Sequence, residues 1–90
     1  MVKHYNIKVY GRVQGVFFRA STKTKADEFK ITGFVRNERD ETVYIEAEGE
    51  EEDLKKFVEW CGQGPKYAIV EQCEIEEADL RNFAGFMVLR

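Results

Sequence analysis

The chain has 90 residues, fewer than an ordinary domain of about 100 to 150, which predicts one module over residues 1–90 and excludes doubly wound and barrel enzymes. Hydrophobic residues make up 43% and charged residues 34%, a balance that excludes a disordered chain. The net charge is -3, but residues 1–36 carry eight Lys and Arg against two acids, and residues 37–90 carry six against fifteen. The acidic second part argues against a nucleic-acid binder, whereas a small anion could bind in the first part.

The cysteines and the N-terminal residues indicate the compartment. Cys61 and Cys73 fit neither a metal knuckle nor a disulfide scaffold, so we expect both to be packed core residues. The first ten residues lack the apolar segment of a signal peptide, and no run of about 20 apolar residues occurs. We therefore expect a cytoplasmic protein that does not enter a membrane.

The first third of the chain predicts a strand, a loop and a helix. Residues 4–10 alternate between apolar and polar side chains, as a half-buried strand does. After the glycine-bounded loop 11–15, apolar side chains recur at helical spacing from Phe18 to Phe29, and Gly33 is expected to end this helix. His4 precedes the loop on the first strand and is expected to be an ordinary surface or edge residue.

The middle of the chain predicts a hairpin with arms 33–38 and 42–48. Its turn lacks the Asp-Gly pair that favours tight turns, so either the loop is wider than two residues or a non-glycine residue is strained. A second helix is predicted from the apolar stripe Leu54, Phe57, Val58 and Cys61. We expect the residues Gly62, Gly64 and Pro65 to end it.

The remaining residues predict two strands. The inward phase changes between residues 68–70 and 73–75, so we expect a bulge near Glu71 and Gln72 that keeps Ala68, Val70, Cys73 and Ile75 inward. Residues 86–89 predict a short last strand. The order βαββαβ with a terminal strand predicts an α+β, ferredoxin-like sandwich, an antiparallel sheet with two helices on one face. This fold serves both enzymes and RNA binders, so it does not decide function.

The segment from Gly11 to Arg19 joins a strand to the start of a helix, where glycines allow a tight turn and free amides can bind an anion. It lacks the GK[ST] ending of a nucleotide P-loop. Arg19 could bind two phosphoryl oxygens, although a solvated helix arginine is the ordinary alternative. A right-handed crossover would carry the strand that contains Asn37 back towards this loop, where its amide could hold a water molecule. The ordinary alternative is an asparagine that only forms the turn.

The nine residues 11–19, GRVQGVFFR, followed by GFVRN at 33–37, resemble the paired signatures of the acylphosphatases. The resemblance continues through Ala47-Glu48-Gly49, Trp60, Gly64-Pro65 and Gly85-Phe86. It implies a metal-independent cytoplasmic hydrolase that needs no cofactor and cleaves acyl phosphates to a carboxylate and inorganic phosphate.

The resemblance also implies residue roles. Arg19 resembles the phosphate-binding catalytic arginine, and Asn37 resembles the asparagine that orients the attacking water. The family's phosphate-binding amides would here be those of Gly15, Val16, Phe17, Phe18 and Arg19. One departure is Asp40-Glu41, where family members commonly carry Asp-Gly.

Two other functions remain open. A non-catalytic acyl- or carbamoyl-phosphate-binding domain would not need both Arg19 and Asn37. A nucleic-acid-binding module could stack bases on Tyr10, Phe34 and Tyr44, but the chain lacks the RNA-recognition strand motif. The acidic residues 46–53 lack the spacing of a calcium loop, so we expect no metal site. We expect a monomer whose partners are an acyl phosphate and its product phosphate, with no nucleic-acid or membrane partner.

Overall fold

Two helices pack on one face of a five-stranded sheet in the computed structural model, which describes residues 1–90. The strands are β1 (Val2–Arg12), β2 (Thr32–Asn37), β3 (Val43–Glu50), β4 (Ile69–Ala78) and β5 (Phe86–Val88), and the helices are α1 (Phe18–Glu28) and α2 (Glu51–Gln63). The strand order is β4-β1-β3-β2-β5, and every neighbouring pair is antiparallel except β2 and β5.

The ferredoxin-like α+β prediction is confirmed, but the expected antiparallel sheet is mixed. β4 and β5 lie at opposite edges of the sheet. Residues 79–85 cross between these edges and reverse the chain, so β5 runs parallel to β2. This last strand brings the C-terminal residues to the same end of the sheet as Asn37, because Val35 pairs with Val88.

The core lies between the sheet and the two helices. Ile7 and Val9 of β1 are buried, and so is Ile45, which pairs with Ile7 on the neighbouring strand β3. The helix α2 contributes Leu54 and Phe57 to the same core. Each such side chain stabilises the fold by about 1.5 to 3 kcal/mol relative to an exposed one. This core fixes the end of β1, from which the loop to α1 begins.

The cysteine prediction is confirmed for Cys61, which is buried in the core, while Cys73 is half-buried at its edge. Burial raises the pKa of both thiols above the ordinary value. Both thiols are free of disulfides.

The end of α1 differs from the expected one. The helix ends at Glu28, and Lys30 then takes up a left-handed conformation with φ of 60°. Gly33 lies inside β2 instead, with φ of 139°, and a Cβ there would lie 1.8 Å from the carbonyl oxygen of Glu46. Gly33 therefore permits close strand approach, and the prediction that it ends the helix was wrong.

The end of α2 is confirmed only in part. Gly62 lies within the helix, and the helix ends at Gln63. Gly64 caps it with φ of 72° and donates its N–H to the carbonyl of Trp60 at 2.8 Å. Glu51, Glu52 and Asp53 occupy the first turn, where negative charge stabilises the positive end of the helix dipole.

Both expectations for the hairpin turn are confirmed. The N–H of Glu38 donates to the carbonyl of Thr42 at 2.9 Å, which leaves a three-residue loop, and Glu41 has φ of 71°. A three-residue hairpin loop ordinarily places one residue in this left-handed region.

The bulge in β4 is also confirmed, because Tyr10 pairs with Gln72 and Gly11 with Val70, which leaves Glu71 unpaired. The inward prediction holds less well for Ile75, which pairs with Ile7 yet is 45% exposed. The reason is that β4 is an edge strand with a neighbour on one side only.

His4 is only 1% exposed, so the expectation of a surface or edge residue was wrong. It lies on the sheet face opposite the helices, where Phe83 from the 79–85 segment stacks on its ring at 5.8 Å. Its Nδ1 lies 2.7 Å from Oε2 of Glu48, and its Nε2 lies 3.2 Å from Oε1 of Glu46. The 79–85 segment therefore buries a polar cluster that local sequence patterns do not predict.

Candidate active site

The loop between β1 and α1 presents a row of free amides. Gly15 and Phe17 have left-handed φ values of 72° and 65°, and no side chain caps the start of α1. The N–H groups of Gly15, Val16 and Phe17 donate to no protein acceptor. Those of Phe18 and Arg19 belong to the first helical turn, which has no acceptor inside the helix. Such a row at a helix N-terminus is suited to binding an anion.

Two buried valines and one glutamine side chain hold the loop between β1 and α1 in place. Val13 and Val16 are buried in the core, and Gln14 lies between them. Nε2 of Gln14 donates to the carbonyl oxygens of Glu38 at 2.8 Å and Thr42 at 2.9 Å. Gln14 therefore fixes the loop to the end of the β2–β3 hairpin, where Asn37 lies.

Arg19 is oriented by the C-terminal residues. Its Nη1 donates to the carbonyl oxygen of Leu89 at 2.9 Å, and the N–H of Leu89 donates to the carbonyl of Val35 at 2.8 Å. The bond to Leu89 uses one of the five guanidinium N–H groups, and Arg19 forms no ion pair within the chain. Its remaining donors are therefore available for an anion.

Asn37 is the last residue of β2 and pairs with Val43. It is thus a strand residue at the edge of the hairpin rather than a residue of the turn itself. Its side-chain amide has no hydrogen-bond partner in the protein, so it has both a donor and an acceptor for a water molecule.

These residues meet at one cavity of about 650 Å³. Its lining consists of Val13, Gly15, Phe17, Phe18, Arg19, Ala20, Asn37, Val88 and Arg90. All predicted site residues line it except Val16, whose side chain is buried in the core while its backbone belongs to the loop. Two arginines and no acidic side chain are among the residues that line the cavity.

The hairpin beside the cavity is fixed by a charged side chain. Hydrogen bonds from the Thr42 hydroxyl, from Lys8 and from the Thr42 backbone lower the pKa of Asp40 to about 2. Nζ of Lys8 lies 2.9 Å from Oδ2 of Asp40. The carboxylate therefore remains charged in neutral solution and helps to hold the turn.

Three features of the site were missed by the sequence predictions: the tie made by Gln14, the Leu89 carbonyl, and the two side chains of Val88 and Arg90. Gln14 had a possible signal, since it is a polar residue between two valines in a short loop. The C-terminal residues had none, because only the parallel pairing of β5 with β2 brings them to the cavity.

No group of three or more His, Cys, Asp or Glu side chains is placed to hold a metal ion. Neither helix has the length and apolar character needed to cross a membrane.

Known proteins are similar to this chain in sequence and in fold. The Acylphosphatase family model matches residues 5–88. An acylphosphatase of Pseudomonas aeruginosa is 45% identical over 82 residues, which are 91% of this chain and 90% of that protein. An acylphosphatase structure from Bacillus subtilis is 37% identical with a TM-score of 0.95, and the match covers 100% of both chains. One from Coxiella burnetii is 35% identical with a TM-score of 0.95, covering 98% of this chain and 93% of that one. The chain therefore belongs to the acylphosphatase family, whose members hydrolyse acyl phosphates.

Proposed function

We propose that residues 1–90 act as one catalytic domain in which the loop amides and Arg19 bind the phosphoryl group and Asn37 orients the attacking water. The observation that carries this proposal is the meeting of five free amides, a guanidinium with free donors and an unpartnered amide side chain at one cavity. These groups come from α1 and its loop and from β2, and the core holds both elements rigidly.

The reaction needs an anion site and a positioned water. The amides of residues 15–19 and the Arg19 guanidinium bind the non-bridging phosphoryl oxygens, where negative charge lies in the transition state. Asn37 holds the water in line with the bond to the acyl oxygen. The new bond joins the water oxygen to phosphorus, the bond from phosphorus to the acyl oxygen breaks, and the leaving carboxylate keeps the electron pair.

We infer that no metal or cofactor takes part. The leaving carboxylate is a weak base, so its departure needs no general acid, and the phosphate oxygens can accept the proton of the water. Arg19, Arg90 and the loop amides supply the positive electrostatic potential at the cavity.

We also propose that the enzyme is a cytoplasmic monomer that binds neither nucleic acid nor membranes. The free thiols of Cys61 and Cys73 agree with a reducing compartment. Against nucleic-acid binding, Arg36 covers the Tyr44 ring at 4.8 Å and Phe83 packs edge-on against Phe34 at 5.8 Å, which leaves little aromatic surface for stacked bases.

The test separates anion binding from water positioning with Arg19→Ala and Asn37→Ala. Arg19→Ala should lose both phosphate affinity and turnover, because a catalytic arginine on a phosphoryl group supplies roughly a thousandfold in rate. Asn37→Ala should still bind phosphate, while its turnover falls on the order of a hundredfold, because only positioning of the water is lost. The measurements are the thermal shift with inorganic phosphate and the steady-state hydrolysis of benzoyl phosphate.

Arg39→Ala is the matched control, since Arg39 is an exposed arginine on the hairpin turn outside the cavity. It should retain the phosphate-induced shift and the parent rate. The assignment of roles is wrong if Asn37→Ala abolishes phosphate binding as fully as Arg19→Ala, or if either variant turns over at the parent rate.

A further inference from the structure

Part of the cavity lining has no role in binding the phosphoryl group. Its volume of about 650 Å³ lies in the range of pockets that bind whole organic ligands. The loop amides, Arg19 and Asn37 serve the phosphoryl group and the water in the proposed function. The side chains of Phe17, Val88 and Arg90 are left to contact the acyl part of the substrate.

The C-terminal segment brings two of these side chains to the cavity. Leu89 is held through both of its backbone polar groups, its N–H on Val35 and its carbonyl on Arg19. Val88 and Arg90, the residues on either side of Leu89, both line the cavity.

The charge of Arg90 has no partner within the protein. Its guanidinium takes part in none of the ion pairs or side-chain hydrogen bonds of the chain, and no acidic side chain lines the cavity. Arg19, by contrast, is committed to Leu89 and, in the proposed function, to the phosphoryl group. A second anionic group on a bound substrate would therefore meet Arg90 as a free positive charge.

The side chains of Phe17 and Val88 are apolar and suit a hydrocarbon group. Phe17 is 73% exposed and Val88 is 42% exposed, so both present apolar surface to whatever enters the cavity. An acyl chain between the phosphoryl site and Arg90 would be in contact with apolar groups.

We propose that Arg90 is a specificity-determining residue that selects acyl phosphates whose acyl group ends in a second anion, such as a carboxylate. This inference rests on the proposed function of the cavity. It names a substrate class, the monophosphates of dicarboxylic acids with an apolar body, that is preferred over neutral acyl phosphates of the same size.

The experiment compares two rigid substrates of matched size, 4-carboxybenzoyl phosphate and 4-methylbenzoyl phosphate, at low ionic strength. The readout is the ratio of their kcat/KM values, which we measure for the parent, Arg90→Gln, Arg90→Lys and Lys55→Gln. Differences in intrinsic reactivity cancel when the ratio is compared between variants. Lys55→Gln is the control, because Lys55 is exposed on α2 outside the cavity and its substitution removes the same unit of charge.

Arg90→Gln should lower the ratio about fivefold, mainly through the KM of the carboxylated substrate, because one partly solvated charge pair is lost. Arg90→Lys should retain most of the ratio, Lys55→Gln should leave it unchanged, and added salt should reduce the parent's preference. An unchanged ratio in Arg90→Gln overturns the proposal. If kcat/KM falls equally for both substrates, the ratio is also unchanged, and Arg90 then acts on the phosphoryl group that both substrates share. If the parent hydrolyses neither substrate, the proposed function itself fails, an outcome distinct from these two.

Discussion

Four residues other than glycine have left-handed backbone conformations: Phe17, Lys30, Glu41 and Asn82. All four lie in connections between elements, where the chain has to reverse or bend. Phe17 differs from the other three because it also lines the cavity. Backbone strain at a binding loop is commonly compensated by packing elsewhere, and here the buried Val13 and Val16 fix the loop on both sides.

Glu41→Gly should stabilise the protein. Glycine adopts φ of 71° without the steric cost that a glutamate has, although it gains entropy in the unfolded chain. The expected net gain is about 0.5 to 1 kcal/mol in the free energy of unfolding, a rise of a few degrees in Tm, measured by thermal denaturation. Asn82→Gly serves as the control and should gain less, because asparagine tolerates this region. A fall in the Tm of Glu41→Gly would contradict the turn geometry.

The segment between β4 and β5 is held to the sheet mainly by one carboxylate. Glu48 accepts hydrogen bonds from the backbone N–H groups of Arg81 and Asn82, the latter at 2.9 Å, and contacts His4. Burial alone would raise its pKa, but these hydrogen bonds outweigh burial and leave the pKa below the ordinary value of 4.5. The charged form of Glu48 therefore stabilises the folded state.

Glu48→Gln should cost about 1 to 3 kcal/mol in the free energy of unfolding at pH 7, because the amide cannot accept all the hydrogen bonds of the carboxylate. A pKa that folding lowers gives stability that is present above the unfolded value of 4.5 and lost as the pH falls below it. The difference between the parent and Glu48→Gln should thus shrink in acid, measured by urea denaturation at pH 7 and pH 3.5. Glu76→Gln, an exposed carboxylate on β4, is the control and should show no such pH dependence. A difference that stays constant with pH would rule out this role for Glu48.

At the scale of the whole molecule, the proposed function has positive groups from separate parts of the chain bind the charged substrate. Exhaustive chelation should accordingly leave phosphate release from benzoyl phosphate unchanged, because Arg19 and the loop amides stabilise the phosphoryl charge. The control is the same enzyme with added magnesium or zinc. Activity that disappears on chelation and returns with either ion would disprove the metal-free mechanism.

Much of the fold could be predicted because its elements have strong local patterns. The alternation of Ile7 and Val9 and the stripe from Leu54 to Cys61 indicate which side of each element is buried, and this determines the packing of helices on the sheet. The proximity of Arg19 and Asn37 to one another followed from the crossover rule alone. Predictions that depend on one neighbouring element were therefore reliable.

The failures share a different cause. Gly33 lies inside a strand because the backbone of β3 leaves no room for a side chain there. His4 is buried by Phe83, which lies 79 positions later in the chain. Likewise, nothing local connects Arg90 with the cavity that it lines. Such features depend on contacts between distant parts of the chain, which periodicity and spacing do not encode.

The bond from Arg19 to the carbonyl of Leu89 has a consequence for folding, because it joins residues 70 positions apart. Contacts that close long loops form slowly, since the chain loses entropy before they stabilise it. The parallel pairing of β5 with β2 has to form before Arg19 is oriented and before Val88 and Arg90 complete the cavity. A chain in which β5 has not yet paired with β2 has the loop between β1 and α1 but not the finished cavity, so docking of this one short strand must precede activity.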